Sequence, residues 1–542
     1  MIARVRDSLK DYLPAPVRRV YIPKPGKTDK RPLGIPAIID RVIQECVRIV
    51  IEPILEAQFF GHSYGFRPMR DTHMALERVA HVVHRTGYHW VIEGDISKFF
   101  DNVNHAILIN KLWHMGIRDK RVLMLIKAML KAGIMGEIAE NPLGTPQGGV
   151  ISPLLVNAYV DAFDQWVTRE WENKRTKTRF KQSGHKLEAL RKKTNLKPAY
   201  LVRYADDWVL ITSSRANAEK WKYRIANYLS EQLRLTLSED KTTITDIRRK
   251  PIHFLGFTFK VVKGESRTGY ISRSSPDPDR LKAKIGEIRC NIKKLKRIRA
   301  GYGYDQKGHL IAGINRINSQ IRGIIQFYQA ATMVVRGLRK YNYSLGYTAY
   351  KALKPHGGKW TPARETDNLV TVHIEYTSQI PAITVRGYTL GITALVFCRW
   401  TKVNNKNQSE TPYAEAGREI YQKRTSRKLS KLRVDDALFA QPSGGTSKEE
   451  KLYNFEYTLN RGYAFNRDRG RCRVCGEFIL DKVYSHHANH NLPMDQVNRV
   501  PNLVSTHVKC HEMLHDGKDY SSLPRRVWLK ILRLREKLST LS

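Results

Sequence analysis

Two apolar stretches that deliver acids constrain this chain more than any other feature. Residues 88–96 (YHWVIEGDI) read as a buried strand ending at Asp95. Residues 199–213 (AYLVRYADDWVLITS) hold two short runs of β-branched and aromatic residues around Asp206-Asp207. That pattern predicts a hairpin with acids at its tip. An Asp-Asp pair alone usually marks an exposed turn, but here two buried-type strands deliver the acids. One acid on a strand and two on an adjacent hairpin can cage two divalent ions about 3.5–4 Å apart, clamping the attacking and leaving oxygens of a phosphoryl transfer. Mg²⁺ prefers such oxygen ligands.

Around this nucleus the periodicity predicts further elements. Residues 37–60 read as an amphipathic helix on which Ile38, Val42, Cys46, Ile49 and Val50 recur at helical spacing. Residues 103–135 read as helical with a break at Gly116, residues 150–166 as an apolar helix, and residues 252–260 (IHFLGFTFK) as an alternating strand. Residues 169–197 carry eleven Lys or Arg and three Glu with little apolar periodicity, which predicts an inserted basic loop or exposed arm. Residues 281–300 form a basic amphipathic helix, and helical spacing continues to about residue 354. The stretch 441–450 (QPSGGTSKEE) is the clearest linker.

Charge narrows the partner. Lys and Arg total 94 against 51 Asp and Glu, a formal charge of +43 over 542 residues. An excess of that size, interleaved with aromatics, points to nucleic acid rather than to a merely soluble surface. The 41% apolar content excludes a largely disordered chain. Six cysteines exclude a disulfide scaffold; Cys46, Cys290 and Cys398 sit in apolar or helical contexts and read as packing residues. No apolar run approaches the ~20 residues of a membrane span, and the N-terminus lacks a signal-type stretch. No membrane partner is expected.

Read together, RPLGIP (31–36), SYGFRP (63–68), GDISKFFDNVNH (94–105), TPQGGVISPLL (145–155), YADD (204–207), LSEDKT (237–242) and FLGF (254–257) resemble the motif series of group II intron-encoded proteins, reverse transcriptases that also act as maturases. The resemblance implies an α+β multidomain chain: right-hand polymerase fingers and palm over 1–275, a helical thumb (maturase domain) over 276–380, a DNA-binding region and linker over 381–450, and a C-terminal module over 451–542. It implies that Asp95 and Asp206 ligate catalytic Mg²⁺ and that Asp207 completes the acidic triad. Of Phe99 and Phe100, one would pack under the incoming sugar and favour dNTP by excluding a 2′-hydroxyl; Phe100 is preferred, and the other reads as core. Gln147 would sit beside the nascent base pair. Arg31 would bind the triphosphate through its planar fork, helped by Lys24 or Lys27, with Lys241 nearby. Phe254, Leu255 and Gly256 resemble the primer grip. The family usually carries a further N-terminal segment that helps bind intron RNA and template. This chain starts almost at the first motif, so those functions are expected to be weakened or supplied otherwise.

The last segment is dense in Cys and His. Cys472-x-x-Cys475 and His507-x-x-Cys510 supply four soft or borderline ligands, a set suited to tetrahedral Zn²⁺. His511 and His515 are four apart on a predicted helix and share a face. With His486-His487 and Asn502 they resemble an HNH endonuclease, a small zinc-bound ββα-metal module. The resemblance implies His487 as the general base activating water, His486, His511 and His515 as ligands of one Mg²⁺ or Mn²⁺, and Asn502 as the residue fixing the loop that bears the base. His507 departs from the usual second Cys-x-x-Cys, and His490 stands near where the pattern has Pro and reads as a surface residue. The expected function is splicing assistance through intron RNA, nicking of target DNA, and cDNA synthesis primed at the nick. The alternative is a splicing maturase with little polymerase activity. The expected location is a bacterial cytoplasm, with an organelle as the alternative.

Overall fold

The computed structural model describes residues 2–9, 11–23, 30–132, 143–145, 148–298, 306–369, 376–385, 388–426, 457, 460–461, 464–465, 467–468, 471–477, 479 and 483–539. The chain divides into two units: Met1–Ala283 with Tyr328–Gly337 and Arg399–Ser426, and Lys284–Phe327 with Leu338–Cys398 and Arg427–Ser542.

The first unit opens with helix α1 (Ile2–Ser8) and a hairpin, β1 (Arg18–Pro23) with β2 (Lys30–Ile35). Helix α2 (Ile38–Glu56) follows, but its buried stripe is Ile43, Val47, Ile51 and Leu55. The expected face is wrong: Ile38, Ile49 and Val50 are exposed, and so is Cys46. Each fully buried aliphatic of the observed stripe contributes about 1.5–3 kcal/mol, so this face decides how the helix docks. Helix α3 (Thr72–Thr86) starts at Asp71, whose carboxylate accepts the Met74 amide, and stops at Gly87 in the left-handed region. Strand β3 (Trp90–Asp95) leads to α4 (His105–His114) and α5 (Lys120–Lys131), separated at Gly116 as the sequence predicts. Helix α6 (Ser152–Glu170) is buried along most of its length.

The basic stretch after it is not simply a loop or arm. It contains α7 (Ser183–Lys193), and Trp171 and Leu190 are buried. Glu172 receives Arg78 at 2.6 Å, and its carbonyl receives Lys186 at 2.8 Å. Two apolar anchors among so many cations gave too little periodicity to read. Strands β4 (Tyr200–Tyr204) and β5 (Asp207–Thr212), helix α8 (Arg215–Leu233) and β6 (Thr243–Asp246) complete an antiparallel sheet of order β4-β5-β3-β6. The expected single strand at 252–260 is instead a tight hairpin, β7 (Ile252–Phe254) and β8 (Phe257–Lys263), and β9 (Tyr270–Pro276) pairs with β8. Leu255 and Gly256 both take positive φ, 52° and 83°, the geometry of a two-residue turn whose twist suits the flanking strands.

Helices α9 (Pro278–Leu295), α10 (Gln306–Tyr328) and α11 (Val334–Leu353) agree with the predicted helical region. Cys290 on α9 is exposed, against the packing role expected of it, whereas Cys398 is buried. In the second unit a three-stranded sheet follows: β10 (Lys359–Pro362), β11 (Gln379–Val385) and β12 (Tyr388–Gly391). Strand β11 runs through residue 380, where the sequence reading placed a boundary. Residues Arg399–Ser426 group with the first unit. There Tyr413 donates to Glu52 at 2.6 Å, and a buried Glu410 takes Lys406 and Arg424.

The C-terminal segment forms a hairpin, β13 (Val483–His487) with β14 (Leu503–His507), then helices Val508–His515 and Arg525–Ser539. Cys472, Val474, Ile479, Cys510, Leu514 and Ile531 make its core. The predicted linker at 441–450 lies outside the described residues. Among the described residues no helix is long and apolar enough to cross a membrane.

Candidate active site and metal clusters

Register brings the acids together. Strands β3 and β5 are antiparallel, with Asp95 directly opposite Asp207. Opposed residues in such a pair point to the same face. Asp206 sits in the two-residue turn just before β5, where Ala205 takes a φ of 56°. Burial, followed by the charges of Asp206 and Asp95, pushes the Asp207 carboxyl up to about 6, while Arg280 and Lys241 pull it down. A cluster of like charges that raises its own pKa is the environment a bound cation relieves. Lys241 already supplies one positive charge, donating to Asp95 Oδ2 at 2.6 Å. It is brought there because Ser97 and Ser238 bond across to Thr236 and Asp95, laying the LSEDKT stretch along the end of β3.

The β7–β8 hairpin is tied to the same strand face. Glu93 lies two residues before Asp95, so their side chains share a face. Glu93 accepts the His253 amide at 2.7 Å and the hydroxyls of Thr243 and Thr245. Phe254 is buried beneath, and the Leu255-Gly256 turn projects beyond it. The ring of His253, 59% exposed, is oriented by Asp277 at 2.8 Å. Sequence reading passed over His253 and Asp277, because nothing local links positions so far apart.

The aromatic pair after Asp95 divides. Phe99 is buried at 3%, whereas Phe100 is half-buried and meets exposed Phe66 edge-on at 6.3 Å. Arg31 lies in β2 opposite Ile22. A Cβ on Gly148 (φ 127°) would come within 2.7 Å of the Gly34 carbonyl oxygen, so the TPQGG turn abuts the RPLGIP strand. Gln147, Lys24 and Lys27 lie outside the described residues.

A third missed residue is Arg203. It lies two positions before Ala205 and is 1% exposed. Its guanidinium grips Asp164 through three contacts of 2.6–2.9 Å and donates to Asn157 Oδ1 and to the Ala205 carbonyl at 2.9 Å. Asn157 in turn donates to the Gly65 carbonyl. The signal was present: a charge inside the apolar run AYLVRYADD needs a buried counter-charge.

In the C-terminal segment two clusters of metal-type donors form. The ligand atoms of Cys472, Cys475, His507 and Cys510 all lie within 4.8 Å of one another, as do those of His486, His511 and His515. His507 Nδ1 is 3.4 Å from Cys475 Sγ and 4.0 Å from Cys510 Sγ. A hydrogen bond from Cys510 holds the Cys472 thiol down to about 4, against the opposing effect of burial. Burial and the surrounding imidazoles push His486 down to about 3, leaving it a neutral lone-pair donor. His487 is 1% exposed and its Nε2 meets Asn498 Oδ1 at 2.7 Å. Asn502 ties the intervening loop, accepting the Asn489 amide and donating to the Asn489 and Val497 carbonyls. His490 is only partly buried, with its ring 5.7 Å and 5.3 Å from those of His486 and His487.

An antiparallel sheet that sets Asp95 opposite Asp207, with Asp206 in the adjoining turn and a hairpin tied to the same strand, is the core of a reverse-transcriptase-like fold. Residues 22–259 match the family described as reverse transcriptase (RNA-dependent DNA polymerase). The chain is 32% identical over 415 residues to the group II intron-encoded protein LtrA of Lactococcus lactis subsp. cremoris, covering 66% of this chain and 67% of that protein. It is 39% identical over 280 residues to the protein YkfC of Escherichia coli K12, covering 49% of this chain and 72% of that one. Among solved structures, an apo telomerase from Candida tropicalis aligns over 64% of each chain at 12% identity, with a TM-score of only 0.36. The chain belongs to the group II intron-encoded proteins, the reverse transcriptase/maturases of these introns.

Proposed function

We propose that the carboxylates at the β3–β5 end are the polymerising centre of an RNA-templated DNA polymerase, and that their convergence carries this reading. Two Mg²⁺ ions held by Asp95 and Asp206 would supply the charge clamp on the attacking and leaving oxygens. The all-oxygen donor set fits that ion. Asp207 completes the acidic cluster. Phe100, the less buried member of its pair, stands under the incoming sugar and disfavours a 2′-hydroxyl. Arg31, with Lys24, holds the triphosphate. Gln147 borders the nascent pair, and Lys241 leaves Asp95 for the triphosphate as nucleotide enters. Phe254, Leu255 and Gly256 grip the primer end, with His253 beside them. The helices of the second unit bind intron RNA, and the complete element recognises target DNA and uses dNTPs. The test is primer extension on an RNA template with dNTPs and Mg²⁺, with Asp206→Ala as the blank. Splicing assistance without any cDNA from the wild type would replace this reading with that of a splicing maturase alone.

The C-terminal module is proposed as an HNH nuclease that nicks target DNA and so creates the primer. Its donor sets support this reading. The sulfur-rich set of Cys472, Cys475, His507 and Cys510 suits structural Zn²⁺, and the three imidazoles of His486, His511 and His515 can hold one catalytic divalent ion, Mg²⁺ or Mn²⁺. His487 takes the proton from water, and Asn502 holds its loop. Because Cys472 and Cys510 belong to the module's core, a strong zinc chelator is expected to expose the region after residue 471 to proteolysis and end nicking. Primer extension should persist under the same treatment. Loss of both activities together would contradict separable modules.

A further inference from the structure

Within the second unit, a cleft of about 220 Å³ opens between α11 and the β10–β12 sheet. Its lining includes Tyr343, Gly346 and Trp360, together with the uncharged polar residues Asn342, Gln379 and Thr393. Tyr343 is 81% exposed, far more than a packing aromatic needs, and lies nearly parallel to Tyr347 at an interplanar angle of 4°. Lys351 stands over the Tyr347 ring at 4.6 Å. Trp360, 41% exposed, stacks on Tyr350 at 5.4 Å and 20°. Gly346 keeps the helix side open: a Cβ there would meet only Trp360, at 3.7 Å. The Asn342 amide is fixed, since its Oδ1 accepts the Val396 amide at 3.1 Å.

The charge around the cleft selects its occupant. From Leu338 to Arg364 the chain carries Arg339, Lys340, Lys351, Lys354, Lys359 and Arg364 and no acid. A cleft lined by two aromatic rings, aliphatic side chains and neutral hydrogen-bonding groups, on a helix and strand that carry cations and no acid, suits a planar neutral group carried on a polyanion. We propose that this cleft holds an unpaired base of single-stranded RNA, stacked against Tyr343 and Trp360, while the flanking phosphates meet the lysines. Sequence-tolerant recognition of splayed-out bases works through such aromatic platforms. The proposal rests on the reading of this unit as RNA-binding and adds the place and mode of contact.

The test uses the full chain, an unstructured RNA oligonucleotide, an RNA duplex of equal length, and single-stranded DNA of the same sequence. Tyr343→Ala is expected to weaken single-stranded RNA binding about tenfold, the loss of one base stack. Its duplex affinity and its dependence on salt should stay unchanged, because phosphate contacts survive. Tyr343→Phe should bind as the wild type does, and Gly346→Leu, which fills the cleft with a good helix former, should reproduce the loss. The exposure of Tyr343 protects the fold in its two variants. Unchanged single-strand affinity in both Tyr343→Ala and Gly346→Leu, or equal loss on the duplex, overturns the base cleft while leaving RNA binding by the unit intact. Loss of single-stranded DNA binding with RNA binding unchanged would assign the cleft to DNA instead. A wild type that binds no RNA at all would remove the underlying reading as well.

Discussion

Gly65→Ala is expected to reduce primer extension by about 100-fold or more, although Gly65 holds no metal and carries no charge. A Cβ at this position would lie 2.4 Å from the Ala205 amide nitrogen and 3.0 Å from the Tyr204 carbonyl carbon. Both are backbone atoms, so no side chain can swing aside. The loop is also stitched in place: Arg203 donates its amide to the His62 carbonyl, Tyr64 donates to the Arg203 carbonyl at 2.8 Å, and Asn157 holds the Gly65 carbonyl at 2.8 Å. The added methyl therefore forces the turn that carries Asp206 away from Asp95. A displacement near 1 Å at a reacting centre costs about a hundredfold in rate. The overpacking itself costs about 1–3 kcal/mol, which a melting curve will register. Gly323→Ala is the control: a Cβ on this helical glycine meets nothing within 4 Å, so extension should not change. Single-turnover extension separates the two effects. A Gly65→Ala protein that melts early but extends at the wild-type rate would show that the turn tolerates the shift.

Physical range explains which features of the fold are legible in the sequence. The β4–β5 hairpin was legible because its two apolar runs and its acids are local, and Asp95 because an apolar strand led to it. The approach of Gly65 to Ala205 was not, since it joins residues far apart in sequence through backbone atoms that carry no residue signature. Helix α2 was misread because IIDRVIQECVRIVIEPILE is apolar on more than one face. Only the docked partner chose the stripe of Ile43, Val47, Ile51 and Leu55, and that choice also buried Asp40 and Gln44. Asp40 is satisfied by Tyr12 and the Ala15 amide, and Gln44 by the Val150 amide. In the C-terminal segment the Cys and His spacings suggested both donor sets, whereas the anchoring of His487 by Asn498 gave no local sign. The turn at Leu255-Gly256 shows a third kind of failure. Alternation continues across a two-residue turn, so period alone cannot separate a hairpin from a strand.

The largest stability effect is expected from Arg203→Met, at about 3–5 kcal/mol, because it strands a buried charge. Asp164 is fully buried and Arg203 is its ion-pair partner. Burial pushes the Asp164 carboxyl upward while Arg203 pulls it down, and without that guanidinium only the lesser pull of Arg67 opposes the penalty. Arg203→Met combined with Asp164→Leu replaces the pair with apolar residues, and such replacements are often neutral or stabilising. The double variant should therefore recover most of the lost stability in a urea or thermal melt. Polymerisation should not recover with it. Arg203 also donates to the Ala205 carbonyl, at the residue held in the left-handed region next to Asp206, and methionine cannot replace that donor. The stability and activity of the double variant should thus part company, with a near-normal melt and extension still depressed by an order of magnitude or more. If extension returned in step with stability, Arg203 would serve the fold alone. The carboxylates would then be set by the β3–β5 register without help from beneath the turn.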